Sequence, residues 1–141
     1  MIVLDTNVLS ELLRARPADN VRRWTQTQPS KTLFTTSVCE AEIRYGVALL
    51  PKGRRRVDLS QAADALFDRK LAGRILAFDS SAARVYVDIV AARRSMGRPI
   101  SQTDAQIAAI AASHGASVAT RNVVDFADCG VAVIDPWSGV S

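Results

Sequence analysis

An α/β fold, with a central, mostly parallel five-stranded sheet covered by helices, is what this sequence predicts, on three observations. Short runs of β-forming residues alternate with longer segments whose apolar residues recur at helical spacing. Most of the runs stop at acids or hydroxyl residues, the types that start helices. The 141 residues are 48 % hydrophobic and 23 % charged, show no internal repeat or low-complexity stretch, and read as one domain over residues 1–141.

The first run is Met1–Leu4; it stops at Asp5-Thr6-Asn7, after which Val8, Leu9, Leu12 and Leu13 fall at helical spacing. A short helix follows Asp19, with Val21 and Trp24 on one face. Thr32–Thr36 reads as the second strand. Ser37 then caps a helix from Val38 to Leu50, with Glu40 completing a capping box. Pro51-Lys52-Gly53 ends that helix, and Gly53–Asp58 reads as a mobile loop. Leu59, Ala63, Leu66, Phe67 and Leu71 form one apolar stripe and mark the next helix. Arg74–Phe78 is the third strand, ended by Asp79, and the helix after it presents Val85, Tyr86, Ile89 and Val90. Gly97-Arg98-Pro99 stops it; Ser101 starts an alanine-rich helix to His114, closed by Gly115. Ser117–Thr120 and Val131–Ile134 are the fourth and fifth strands.

Composition removes several function classes. Two cysteines, Cys39 and Cys129, make neither a disulfide scaffold nor a four-thiolate zinc site. One histidine, His114, excludes multi-histidine metal centres and argues against a Ser-His-Asp triad. No apolar run approaches the ~20 residues that span a bilayer. Asp5 breaks the N-terminal apolar stretch, which is therefore no signal peptide, and a cytoplasmic location is expected. Eighteen basic against fourteen acidic residues give a net charge of +4, and fifteen of the eighteen are Arg. Arg grips phosphate bidentately, which suits a polyanionic partner.

The chemistry lies with the acids. In open α/β sheets ligands bind beyond the carboxyl ends of the strands, and acids recur there. Asp5 follows strand one, Glu42 lies on the helix after strand two, and Asp79 follows strand three. Asn122 and Asp125 follow strand four, and Asp104 sits in the first turn of the preceding helix. Each also has a purely structural explanation: Asp5 and Asp79 as N-caps, Asp104 in a capping box with Ser101, Asp125 as a helix-start acid. Glu42 shares a face with Val38, Tyr45, Gly46 and Leu49 that reads as the apolar one, where an unpaired charge is costly; its structural explanation is an ion pair with Arg121 or with Arg44, and Arg44 lies on a different helix face. Clustered carboxylates suit a hard divalent ion, which takes oxygen ligands and activates water at phosphate. Two other readings stand beside this one. One is a haloacid-dehalogenase-like or receiver-type phosphoryl-transfer domain, although Asn7 stands where the former needs an acid and no Lys follows Lys70. The other is a non-catalytic partner-binding module.

Five segments together carry a resemblance: Ile2-Val-Leu-Asp5-Thr6-Asn7, Val38-Cys-Glu-Ala-Glu42-Ile-Arg44-Tyr-Gly46, Ala72-Gly-Arg-Ile-Leu-Ala-Phe-Asp79, Ile100-Ser-Gln-Thr-Asp104-Ala-Gln-Ile107, and Val118-Ala-Thr120-Arg121-Asn122-Val-Val-Asp125-Phe126, with a terminal Val133-Ile-Asp-Pro136-Trp137. In this order they resemble the PIN-domain ribonucleases, specifically VapC-type toxins of type II toxin–antitoxin systems, FitB-like branch. The resemblance implies a PIN-like α/β/α sandwich and an endoribonuclease dependent on Mg²⁺, with Mn²⁺ as the alternative. It implies that Asp5, Glu42 and Asp104 hold the metal directly or through water and activate water against an RNA phosphodiester. Thr6 and Asn7 match residues that shape the first acid's turn, and Thr120 a hydroxyl that bonds within the site. The fourth acid is open: some relatives carry it at the position of Asn122, others have the form found here, which makes Asp125 the acid and Asn122 its amide support. Arg54, Arg55 and Arg56, and Arg93, Arg94 and Arg98, form two basic clusters suited to RNA phosphates. The implied partners are an antitoxin whose C-terminal tail covers the active-site groove, an RNA substrate and a second copy of the chain, with a higher assembly on the antitoxin and no membrane. A dimer face is expected around Val85 and Ile89. With four of fourteen acids assigned to one pocket, ten acids face eighteen bases elsewhere.

Overall fold

The structure is a computed structural model and describes residues 1–138. Five strands, β1 (Ile2–Leu4), β2 (Leu33–Thr36), β3 (Ile75–Leu76), β4 (Ser117–Ala119) and β5 (Val133–Ile134), form one sheet in the order β3-β2-β1-β4-β5. Every pairing is parallel: Ile2 stands beside Leu33 on one side and Ser117 on the other. Parallel neighbours require long crossovers, and helices supply them. These are α1 (Thr6–Leu12), α2 (Asp19–Thr27), α3 (Ser37–Ala48), α4 (Arg54–Ala65), α5 (Ser80–Ser95) and α6 (Gln102–Ser113). The chain winds outward from β1 through β2 to β3, then returns to β4 on the other side of β1. The direction reverses between β1 and β4, which is where an open parallel sheet leaves a crevice at its strand ends.

The core follows from the sequence pattern. Val3 and Leu4 of β1 and Val118 and Ala119 of β4 are buried, as strands covered on both faces must be. Helix α6 buries a continuous run from Ile107 to Ala111, and its alanines let α5 approach closely. Thr35 carries its hydroxyl into this core, where it donates to the Leu4 carbonyl at 2.8 Å. Among the described residues no helix is long and apolar enough to cross a membrane.

Four expectations change. The cap of α3 is Thr36, not Ser37: its Oγ1 accepts from the Cys39 amide at 3.0 Å. Strand β2 runs into the helix without a loop, so the last strand residue is already the cap. Glu40 does not complete a box but pairs with Arg44 at 2.8 Å. The stretch read as a mobile loop is helical from Arg54 onward, started by Gly53 at φ 152°, a conformation open to glycine. Strands three and five shrink to two residues each, since edge strands have a partner on one side only. Ile89, expected at a dimer face, is 6 % exposed and belongs to the chain's own core.

Candidate active site

Asp5 is the residue on which the site is built. It ends β1 at the switch point and caps α1, so its backbone is held on both sides: its N–H donates to the Ala119 carbonyl at 2.9 Å, and its carbonyl accepts from Val8 and Leu9. Its carboxylate is 4 % exposed. Oδ1 accepts from the Thr6 amide at 2.8 Å; Oδ2 accepts from Thr120 Oγ1 at 2.7 Å and Asn7 Nδ2 at 3.4 Å. The capping role and the site role therefore coexist in one side chain, with one oxygen for each.

Thr120 and Asn7 extend this into a lattice between β1 and β4. The Thr120 hydroxyl, fully buried, donates to Asp5 and accepts from Asn7 Nδ2 at 3.2 Å and the Asn122 amide at 3.0 Å. Asn7 Oδ1 in turn accepts from the Arg121 amide at 3.2 Å. Asn122 takes part through its backbone, at the head of a short 3-10 turn, Val123–Phe126.

The other acids come from three further elements. Glu42, on α3, accepts from Thr6 Oγ1 at 2.5 Å. It is exposed, as are Tyr45, Gly46 and Leu49 on the same face; the face that α3 buries is that of Cys39 and Ile43. The sequence argument that placed Glu42 on the core side is thus corrected: that face borders a groove. Asp104 stands in the first turn of α6, close enough to act electrostatically on Asp5, and Ser101 Oγ caps its amide at 3.1 Å. Asp125 is exposed on the 3-10 turn. Asp79 caps α5 through the Ala82 amide at 3.0 Å, the structural role alone.

Electrostatics tie the four carboxylates together. Burial pushes the Asp5 carboxyl up to about 6, with Asp104 and Glu42 adding to the rise and the bonds from Thr120 and Thr6 opposing it. Burial also raises Asp104, helped by Asp125 and Glu42, while Ser101 and Arg93 pull it down. The pocket is therefore one of negative potential built from oxygen donors alone. Among the described residues no three Asp, Glu, His or Cys side chains are spaced to ligate a single ion together. A magnesium-type ion asks for less, one or two carboxylates with water and substrate phosphate completing the shell, and the donor set fits that requirement.

A groove of 970 Å³ leads to Thr6 and Glu42 between α1, α3 and α4. Leu13, Ile43 and Val47 make it apolar, and Arg54 and Arg55 stand on its α4 side. Sequence reading missed this groove, since it is the gap among three helices and no segment encodes it. The basic candidates divide. Arg54 and Arg55 are exposed on the groove; Arg56 is half-buried and does not line it. Arg94 is exposed, and Arg98 pairs with Asp128 at 3.0 Å. Arg93 is corrected: it is 5 % exposed, its guanidinium is taken by backbone carbonyls, and it is not available to RNA. Arg121, weighed from the sequence only as an ion-pair partner for Glu42, instead lies with its guanidinium 5.1 Å over the Trp137 ring.

Known proteins match this chain in sequence and in fold. The family model described as PIN domain matches residues 2–129. The chain is 42 % identical over 137 residues to VapC ribonuclease Y4jK of Sinorhizobium fredii, covering 97 % of this chain and 98 % of that protein. It is 38 % identical over 137 residues to Toxin FitB of Neisseria gonorrhoeae, covering 97 % and 99 %. The crystal structure of FitAcB from Neisseria gonorrhoeae matches with a TM-score of 0.92 at 38 % identity, over 98 % of this chain and 99 % of that one.

Proposed function

The chain belongs to the PIN-domain family, and on that premise we infer that it is a metal-dependent endoribonuclease, the toxin of a toxin–antitoxin pair. The observation that carries this reading is the electrostatic neighbourhood around the Asp5 switch point: Asp104 and Glu42 act on Asp5, and Asp125 and Glu42 act on Asp104. The phosphoryl-transfer alternatives fall with membership of this family. The names VapC ribonuclease and Toxin FitB, borne by relatives 42 % and 38 % identical, point the same way.

Asp5, Asp104 and Glu42 would hold Mg²⁺ or Mn²⁺, directly or through water. When bound, the ion supplies a polarised phosphoryl oxygen and an activated water at neutral pH. The chain's own residues set the geometry. Thr6 and Thr120 fix the two Asp5 oxygens, and Thr6 also orients Glu42. Asp125, an electrostatic neighbour of Asp104, would support the metal through water. Arg54 and Arg55 on the groove, and Arg94 and Arg98 beyond it, would hold phosphates without reading bases. The partner is an antitoxin whose C-terminal tail lies along the apolar groove, and the toxin pairs with a second copy in the cytoplasm. In the test, wild-type protein with Mg²⁺ cleaves total cellular RNA and chelator stops it, while Asp5→Asn protein, folded by circular dichroism, is inactive. A folded Asp5→Asn protein with full activity would overturn the reading.

A further inference from the structure

Arg93 lies near the end of α5 and is 5 % exposed. Its Nη1 donates to the carbonyls of Asp125 at 3.0 Å and Ala127 at 2.9 Å, and lies 3.5 Å from the Cys129 sulfur. Its Nε donates to the Arg98 carbonyl at 2.8 Å. Among the described residues it has no carboxylate within ion-pairing distance; backbone carbonyls hold its guanidinium, and Asp104 feels its charge only from farther away. A buried charge without an opposite partner is costly, and a fold that needed only packing here would do better with an apolar side chain.

What this cation holds is the turn that carries Asp125. That 3-10 turn is four residues long, with Val123, Val124 and Asp125 exposed. Its own bonds are Asp125 N–H to Asn122 O at 3.1 Å and Ala127 N–H to Val124 O at 3.2 Å. A short turn of this kind has poor internal hydrogen bonding. Its ties to the body include the Asn122 amide bond to Thr120, the buried Phe126 ring and the Arg93 fork, which grips the turn at the carbonyl of Asp125 itself. A guanidinium has the planar spread of donors this requires; an ammonium does not.

We propose that Arg93 is a positioning residue of the acidic site: it clamps the Val123–Phe126 turn to α5 and so holds the Asp125 carboxylate opposite Asp104. This rests on the ribonuclease reading above, with Asp125 as the fourth acid. The test uses the full chain, Mn²⁺ binding by calorimetry, and cleavage of a fluorescent single-stranded RNA oligonucleotide. Arg93→Lys keeps the charge and loses the fork; Arg93→Gln loses both. Each should weaken Mn²⁺ binding and lower kcat by about tenfold or more, as loss of an orienting contact does. KM for the oligonucleotide should stay near wild type, which separates positioning from phosphate binding. In an Asp125→Asn background, Arg93→Lys should cause no further loss. Unchanged Mn²⁺ affinity and kcat overturn the proposal, as does an equal loss in both backgrounds. Unfolding of both Arg93 variants at 25 °C assigns Arg93 to the fold alone and overturns it too. Wild-type protein that binds Mn²⁺ but cleaves no RNA removes the ribonuclease reading and leaves the Mn²⁺ comparison to decide this one.

Discussion

Asp5 concentrates the tension of the molecule at a single residue. Its carboxyl is raised from 3.8 to about 6, so the folded chain binds this proton more tightly than the unfolded chain does. Ionising it therefore lowers stability: the penalty is absent below about pH 4, grows through pH 6 and is full above it, at about 3 kcal/mol. Asp5→Asn removes that penalty but also loses one of the two acceptors that Thr6 and Thr120 use. In chelator at pH 8 the variant should be more stable than wild type by about 1–2 kcal/mol, a difference that reverses near pH 4, where only the lost acceptor counts. Equal melting temperatures at pH 8 would contradict this. Thr120→Val is the complementary probe. It strips one donor and one acceptor from a buried lattice and should cost about 1–3 kcal/mol by urea unfolding, with a fall in cleavage rate. At this scale the residue types were legible from the sequence. The sharing of Asp5 between a cap and a site was not, because the two roles use different oxygens of one carboxylate.

At the scale of elements, local chemistry was read well wherever it was self-contained. The Ser101 cap, the Asp79 cap and the α6 stripe all depend on neighbours within four residues. The errors arose where an element's partner lay elsewhere. Helix α3 shows two candidate faces in sequence, and its neighbours α1, α4 and β2 decide that Cys39 and Ile43 are the buried one. Glu42 is thereby turned to the groove. Arg44 then clamps α3 to the α4 region, reaching Asp64 at 2.8 Å and Asp68 at 3.4 Å with its guanidinium 5.1 Å over Phe67. The pairs are partly exposed, so Arg44→Ala should cost only about 1 kcal/mol, measured by urea unfolding. Ile107→Ala opens a cavity at a fully buried position of α6 and should cost about 2–5 kcal/mol by the same measurement, without changing metal affinity.

At the scale of the whole molecule, ten acids stand against eighteen bases once the four candidates are set aside. Arg54 and Arg55 are the part of that excess that reaches the groove. Replacing both by Ala should weaken RNA binding and make the slope of log affinity against log salt shallower by about 1.4, read by titration at several salt concentrations. An unchanged slope would remove them from the phosphate path. The sequence alone determined the alternation of strand and helix, the parallel sheet, the oxygen-only donor set and the basic excess, because these follow from periodicity, capping chemistry and composition. The tertiary structure alone decided that Arg93 serves a turn and not a phosphate, that Glu42 faces a groove and not the core, and that β1 and β4 meet at Asp5 and Thr120. Those outcomes depend on which surfaces distant segments cover, and burial is a property of the neighbours a residue acquires, not of the residue itself.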